Sequence, residues 1–379
     1  MKTAITAGSL LTPLEIIESP VVVIEDGRIV SVASRREVEM PANSRHLDFP
    51  EMVIAPGFID IHVHGNAGHD VMEGNDSALA AIGQAMAKHG VTSYLPTTVT
   101  APEDVLLRAL EHLGKAISQK SGEGARPPGI HLEGPFISHV KRGVHPPGNL
   151  VAPSAKLLER FWQASAGTIK IMTIAPELPG AIETIQHAKR LGVHASLGHS
   201  NASYSESMRA INAGADHATH TFNAMRALDH REPGILGAAL SDDRLTADII
   251  ADGIHVHPSM VKMFLAAKGA ESAILITDAI SATGMGDGRY KLGPFEVDVK
   301  GDRCEHEGKL AGSVLTLDRA VRNTMSFAGW KLQQAVRLAS YNPARLLGIT
   351  DRKGFIAPGS DADLVVLTTA GEVVRSLSG

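Results

Sequence analysis

The segment Pro56-Gly57-Phe58-Ile59-Asp60-Ile61-His62-Val63-His64-Gly65 decides how the rest of the chain is read. Strand side chains alternate between two faces, so His62 and His64, two positions apart in an apolar, β-branched run, point the same way. Neutral imidazole is a common ligand of borderline divalent ions, and a pair at the end of a buried strand suits half of a metal site. Taken alone, His-x-His fits a pair of core or surface histidines equally well. What the remaining strands carry at equivalent positions decides between the two.

Outward from this strand, apolar strand candidates cover 58–64, 92–98, 129–133, 169–175, 193–199, 217–223, 245–251 and 273–278, and amphipathic helical stretches cover 77–89, 102–118, 153–164, 181–191, 205–213 and 316–327. Eight such units specify a (β/α)8 barrel. Before them, Val21–Ile24 and Arg28–Val32 flank Glu25-Asp26-Gly27 as a hairpin. After them, Asp363-Leu364-Val365-Val366-Leu367 has the same strand character. The expected architecture is therefore α/β: a (β/α)8 TIM-like barrel over 56–353, with a small β-sandwich domain built jointly by residues 1–55 and 354–379. Residues Tyr290 to Lys309 read as a β-hairpin inserted after the eighth strand.

Composition narrows the class. With 379 residues, 44% hydrophobic and 20% charged, the chain is that of a globular enzyme rather than a disordered, fibrous or membrane protein. No apolar run is long enough to cross a bilayer, and Met1-Lys2-Thr3-Ala4-Ile5 leads into strand-like sequence without a signal-peptide core. Cys304 is the sole cysteine, which excludes an intrachain disulfide and agrees with a reducing cytoplasm. A formal charge of -5 gives no reason to expect nucleic acid or an anionic membrane.

In such a barrel the chemistry sits where the strands end. The first ends in His62 and His64, the third in His131-Leu132-Glu133-Gly134-Pro135, the fifth in Gly198-His199-Ser200, the sixth in Thr219-His220-Thr221 and the eighth in Thr277-Asp278-Ala279. Histidines and carboxylates converging from five strand ends read as a metal centre. His131, His194 and His217 read as structural, and His89, His112 and His187 as solvated helix residues. A bound divalent ion lowers the pKa of its water from about 15.7 to about 7 and polarises a carbonyl, which makes amide hydrolysis feasible. Expelling the amine still requires a proton, and Asp278 is the candidate to take one from the nucleophile and return it to the leaving nitrogen. The bland alternative for Asp278 is a helix N-cap.

These residues resemble the amidohydrolase superfamily. Within it, His131-Leu132-Glu133-Gly134-Pro135-Phe136, Lys141-Arg142-Gly143-Val144-His145-Pro146, Thr219 to Met225, Arg231-Glu232-Pro233-Gly234, Ala251-Asp252-Gly253-Ile254-His255 and Thr277-Asp278-Ala279 are similar to the family of N-acetylglucosamine-6-phosphate deacetylases, in order and over nearly the whole chain. Where many superfamily members carry a carbamylated lysine, this chain offers Glu133. The resemblance implies hydrolysis of N-acetyl-D-glucosamine 6-phosphate to D-glucosamine 6-phosphate and acetate, in amino-sugar catabolism or cell-wall recycling. It implies Glu133, His199 and His220 as principal metal ligands, His62 and His64 as ligands of a second ion with Glu133 bridging, and Asp278 as general base and acid. His145 matches the donor to the acetyl carbonyl, and His255 a sugar contact. The phosphate falls to Asn223 and Ala224, whose backbone N–H groups follow the sixth strand, to Lys141, and to Arg231, which in the family reaches the neighbouring subunit's site and so implies a homodimer. Zn2+ suits the ligand set, with Fe2+, Mn2+ or Co2+ fitting it too, as one or two ions per subunit.

Three other readings compete. The same chemistry serves N-acetylgalactosamine 6-phosphate, which differs at one hydroxyl. An amidohydrolase of another N-acyl compound would have no use for the Asn223, Ala224 and Arg231 set. A catalytically silent scaffold would lack ligands or the acid/base group, and this chain has them all.

Overall fold

A computed structural model describes residues 2–38, 41, 43–119 and 124–379. Eight parallel strands follow one another around a single sheet: Phe58–Val63, Val91–Thr98, Ile130–Glu133, Ile169–Ile174, His194–Leu197, His217–Ala218, Thr246–Ile250 and Ala273–Ile276. They are numbered here one to eight. Strand eight returns to strand one: the Asp278 N–H donates to the His62 carbonyl at 3.0 Å, the His64 N–H donates to the Ala279 carbonyl at 2.8 Å, and Thr277 donates through its N–H and hydroxyl to Asp60. The (β/α)8 reading thus holds, and its closing seam runs through the histidine pair.

The helices form where their apolar periodicity places them. In Glu103–Gln119, Leu106, Leu110 and Leu113 recur at helical spacing and are all buried against the barrel. Helix Tyr204–Ala213 starts at Ser203, whose hydroxyl accepts from the Glu206 N–H while the Glu206 carboxylate accepts from the Ser203 N–H, a capping box. No helix among the described residues is long and apolar enough to cross a membrane.

Strands from the two ends of the sequence share a second sheet of seven strands, in which Leu364–Leu367 pairs antiparallel with Arg45–Pro56. Alternation sorts its side chains. Val53, Ala55, Val365 and Leu367 join the core of the barrel, whereas Ile54 and Leu364 join Ile5, Val22 and Ile29 in a separate core on the other face. The N-terminal hairpin turns at Asp26-Gly27, both at positive φ, the conformation of a two-residue turn matched to strand twist.

Two details depart from the sequence pattern. The insertion after strand eight is a four-stranded antiparallel sheet, Gly288–Leu292, Phe295–Lys300, Arg303–His306 and Lys309–Leu310, rather than one hairpin, because the chain turns again at Gly301 and Gly308. Strand six stops at Ala218 instead of running to 223, because His220, Phe222 and Ala224 all take positive φ.

Candidate active site

The C-terminal ends of strands one, three, five, six and eight deliver their side chains to one point. Glu133 is its centre. His220 Nε2 lies 3.0 Å from Oε1, His199 Nε2 3.2 Å and His62 Nε2 3.5 Å; His64 Nε2 lies 3.3 Å and His145 Nε2 3.5 Å from Oε2. Asp278 Oδ1 sits 3.2 Å from His64 Nε2 and 3.6 Å from His62 Nε2. All seven side chains are buried. Gly65 lets the chain leave strand one at this point: a Cβ there would lie 2.3 Å from the His69 carbonyl oxygen.

Outer hydrogen bonds set the imidazole tautomers. His64 Nδ1–H donates to the Thr97 carbonyl and His199 Nδ1–H to the Lys141 carbonyl, both at 2.9 Å, so each turns its Nε2 inward. His145 is the opposite case. Its Nδ1 accepts from the Thr100 N–H at 3.4 Å and faces the Thr100 hydroxyl at 2.8 Å, which leaves Nε2–H as a donor into the site. His220 is held through its backbone: its N–H donates to Asp248, whose other oxygen faces His217 Nε2 at 2.9 Å.

Burial opposes charge on Glu133, Asp278, His64, His199 and His220. It prevails at His199, pushed down to about 4. At His64, burial is outweighed by hydrogen bonds to Asp278 and Glu133 and by their charges, which hold the imidazole up to about 10. At His220 the hydrogen bond to Glu133 and the nearby carboxylates do the same, up to about 9. Glu133 stays well below the usual carboxylate range against its own burial, through His62 and the hydrogen bonds from His145 and His220. Asp278 is drawn to about 2 by His62 and His64.

This arrangement fits a divalent cation. Two ionised carboxylates and inward-facing imidazole nitrogens, with His199 and His220 Nε2 atoms only 3.1 Å apart, make a donor set that suits a divalent cation, which would displace the protons on His64 and His220. The donor atoms of His62, His64 and Asp278 lie within 4.8 Å of one another, as do those of Glu133, His145 and His199.

The cluster opens into a cavity of about 220 Å³ that also meets Asn223, Ala224 and His255. His255 is fixed by Asp252, 2.6 Å from its Nδ1. Asn223 already commits its N–H, at 2.9 Å, and one side-chain amide hydrogen to the His220 carbonyl, so its backbone N–H is not the free donor the sequence suggested. Lys141 contributes its carbonyl, not its side chain, to the cluster. Arg231 lies exposed, outside this cavity, with its N–H on Asp229.

Of the structural histidines, His131 faces the Ile61 carbonyl and Thr173, and His217 faces Thr246 and Asp248, as expected. Sequence reasoning passed over Thr100, because strand two ends without histidine or carboxylate. It also passed over Asp248, although a lone carboxylate inside Thr246-Ala247-Asp248-Ile249-Ile250 is a readable signal. The apolar cavity wall of Val99, Leu292 and Phe295 has no signal in the sequence.

Comparison with known proteins agrees with this geometry. Residues 53–376 match the amidohydrolase family. The N-acetylglucosamine-6-phosphate deacetylase of Bacillus subtilis (strain 168) is 38% identical over 379 residues, covering 97% of this chain and 94% of its own. The N-acetylgalactosamine-6-phosphate deacetylase of Escherichia coli O157:H7 is 40% identical over 316 residues, 83% of either chain. Among solved structures, a variant of the Mycobacterium smegmatis N-acetyl-D-glucosamine-6-phosphate deacetylase, in complex with N-acetyl-D-glucosamine-6-phosphate, superposes with a TM-score of 0.93 at 35% identity, over 100% of this chain and 98% of that one.

Proposed function

The chain belongs to the amidohydrolase family, and from that premise we propose how the residues at its barrel mouth divide the work. The reaction is the metal-dependent deacetylation of N-acetyl-D-glucosamine 6-phosphate to D-glucosamine 6-phosphate and acetate. Glu133, His199 and His220 would hold one divalent ion, and His62 and His64 would supply ligands for a second. Zn2+ is the metal this nitrogen and carboxylate set suits best. Bound there, the ion supplies Lewis acidity and an acidified water at neutral pH.

The protein's own groups do the rest. His145 presents Nε2–H to the acetyl carbonyl oxygen, where charge develops as the carbon becomes tetrahedral. Asp278, ionised and beside His64, takes a proton from the attacking water and returns it to the leaving nitrogen. His255 meets the sugar. Asn223 and Ala224 meet the phosphate, joined by Lys141 and by Arg231 of a second subunit, since Arg231 lies outside its own cavity. The enzyme is in this reading a cytoplasmic homodimer, each subunit a barrel over 56–353 with a small β domain of 1–55 and 354–379.

The observation that carries the reading is the convergence on Glu133 of five imidazoles, with Asp278 beside them, at the end of a cavity that also meets Asn223, Ala224 and His255. The galactosamine isomer stays in the test because the E. coli O157:H7 relative is 40% identical. Acetate release is measured on N-acetylglucosamine 6-phosphate, N-acetylgalactosamine 6-phosphate and unphosphorylated N-acetylglucosamine, with metal content determined on the same sample. The first substrate is expected to dominate. Metal-loaded protein that releases acetate from none of the three would defeat the reading.

A further inference from the structure

The four-stranded sheet inserted after strand eight lines the cavity through Leu292, Phe295 and Leu310. Its first turn, Leu292-Gly293-Pro294-Phe295, forms part of the cavity wall together with Val99. The turn is fixed from several directions. The Gly293 N–H donates to the buried Asp70 carboxylate at 2.7 Å, and the Ser281 hydroxyl donates to the Lys291 carbonyl. Gly293 sits at φ +53, and a Cβ on it would lie 3.2 Å from Val99 Cβ, so the turn's backbone rests directly on that side chain. Leu292 and Val99 are 3% and 2% exposed and belong to one apolar cluster with Ile280, Val297 and Ala311. Phe295 packs against the same cluster.

Val99 immediately precedes Thr100, the residue that holds His145, so this apolar wall adjoins the imidazole assigned to the acyl carbonyl oxygen. A sugar phosphate presents hydroxyls and charge over most of its surface. The one small apolar group next to the reacting carbon is the methyl of the acetyl group. We propose that Val99 and the turn Leu292-Gly293-Pro294-Phe295 form the pocket for the acyl chain, and that this turn sets which N-acyl groups the enzyme removes. The proposal rests on the deacetylase reading. Because the wall is tied down through Asp70 and buried, its size limit is rigid, and each added methylene meets packed side chains.

The test compares kcat/KM for glucosamine 6-phosphate carrying N-formyl, N-acetyl, N-propionyl and N-butyryl groups, in the wild type and in Leu292→Ala, Phe295→Leu and Val99→Ile, with metal content matched. The wild type is expected to fall about tenfold or more at each step beyond acetyl. Leu292→Ala should recover the propionyl substrate about tenfold relative to acetyl, and Val99→Ile should shift preference toward formyl. Phe295→Leu, at a partly exposed position, keeps the test valid if Leu292→Ala folds poorly. A propionyl-to-acetyl ratio unchanged in all three variants overturns the proposal, as does an equal loss on every acyl form, which would put the wall against the sugar ring. Wild-type protein inactive on the acetyl substrate would instead sink the deacetylase reading itself.

Discussion

The two halves of the metal cluster are built by different means. His62, His64 and Glu133 belong to or directly continue regular strands, and their direction follows from two-residue alternation. His199, His220 and Asp278 stand just beyond their strands at φ of 46°, 30° and 53°, a left-handed conformation that costs about 1–3 kcal/mol for a residue with a side chain. Three such residues meeting at one site persist because other groups impose the geometry. Asp248 captures the His220 N–H, the Lys141 carbonyl captures His199 Nδ1, and the Asp278 carbonyl accepts from the Ser313 N–H at 2.8 Å. The strand half is set by local sequence, and the strained half by distant residues.

That contrast can be broken residue by residue. The largest effect is expected at the chemistry of the strained half: Asp278→Asn should keep metal and substrate binding while lowering kcat by about 10²–10⁴-fold, measured as acetate release at matched metal content. Near-normal turnover would remove Asp278 from proton transfer. Next comes the support rather than the ligand. Asp248→Asn withdraws the carboxylate that holds the His220 backbone and should weaken metal affinity by about 10–100-fold in a competition titration, with strand one untouched. Unchanged affinity would mean that the left-handed His220 needs no such anchor.

Arg231→Ala lies outside both halves. It should raise KM for the phosphorylated sugar about tenfold and leave unphosphorylated N-acetylglucosamine nearly unaffected; equal losses on both would argue against a phosphate contact. The smallest signal is a proton count. In the metal-free protein His64 is held up to about 10 and His220 up to about 9, so both carry protons at pH 7.5 that a metal must displace. Metal affinity should therefore rise with pH between 6 and 9. Calorimetry in buffers of different ionisation enthalpy should show about one to two protons released, and about one fewer in His64→Gln. No buffer dependence would mean that the two imidazoles are already neutral.

The same contrast explains what could be read from the sequence. Periodicity located all eight strands and aimed His62, His64 and Glu133, because a strand's direction is a local property. It overextended strand six, since nothing in Thr219-His220-Thr221-Phe222-Asn223 announces that Asp248, on the next strand, will bend it. The resemblance assigns Lys141 to the phosphate, yet it is the carbonyl that touches His199, and backbone contributions have no residue signature. Thr100 carries no charge and gains meaning only through His145, far along the chain. The inserted sheet was legible as strands, but its cavity wall depends on how Gly293 docks on Val99, a tertiary fact.

The seam between strands one and eight joins residues separated by 217 positions, as in the Thr277 to Asp60 hydrogen bond. Contacts of that span are the slowest to form, because the intervening chain must first be gathered. A partly synthesised chain that has emerged only through strand seven owns His62, His64, Glu133, His199 and His220 but no Asp278, and no partner for the edge of strand one. Hydrolytic competence therefore waits for the last strand, which brings Asp278 to ligands already gathered and closes the ring.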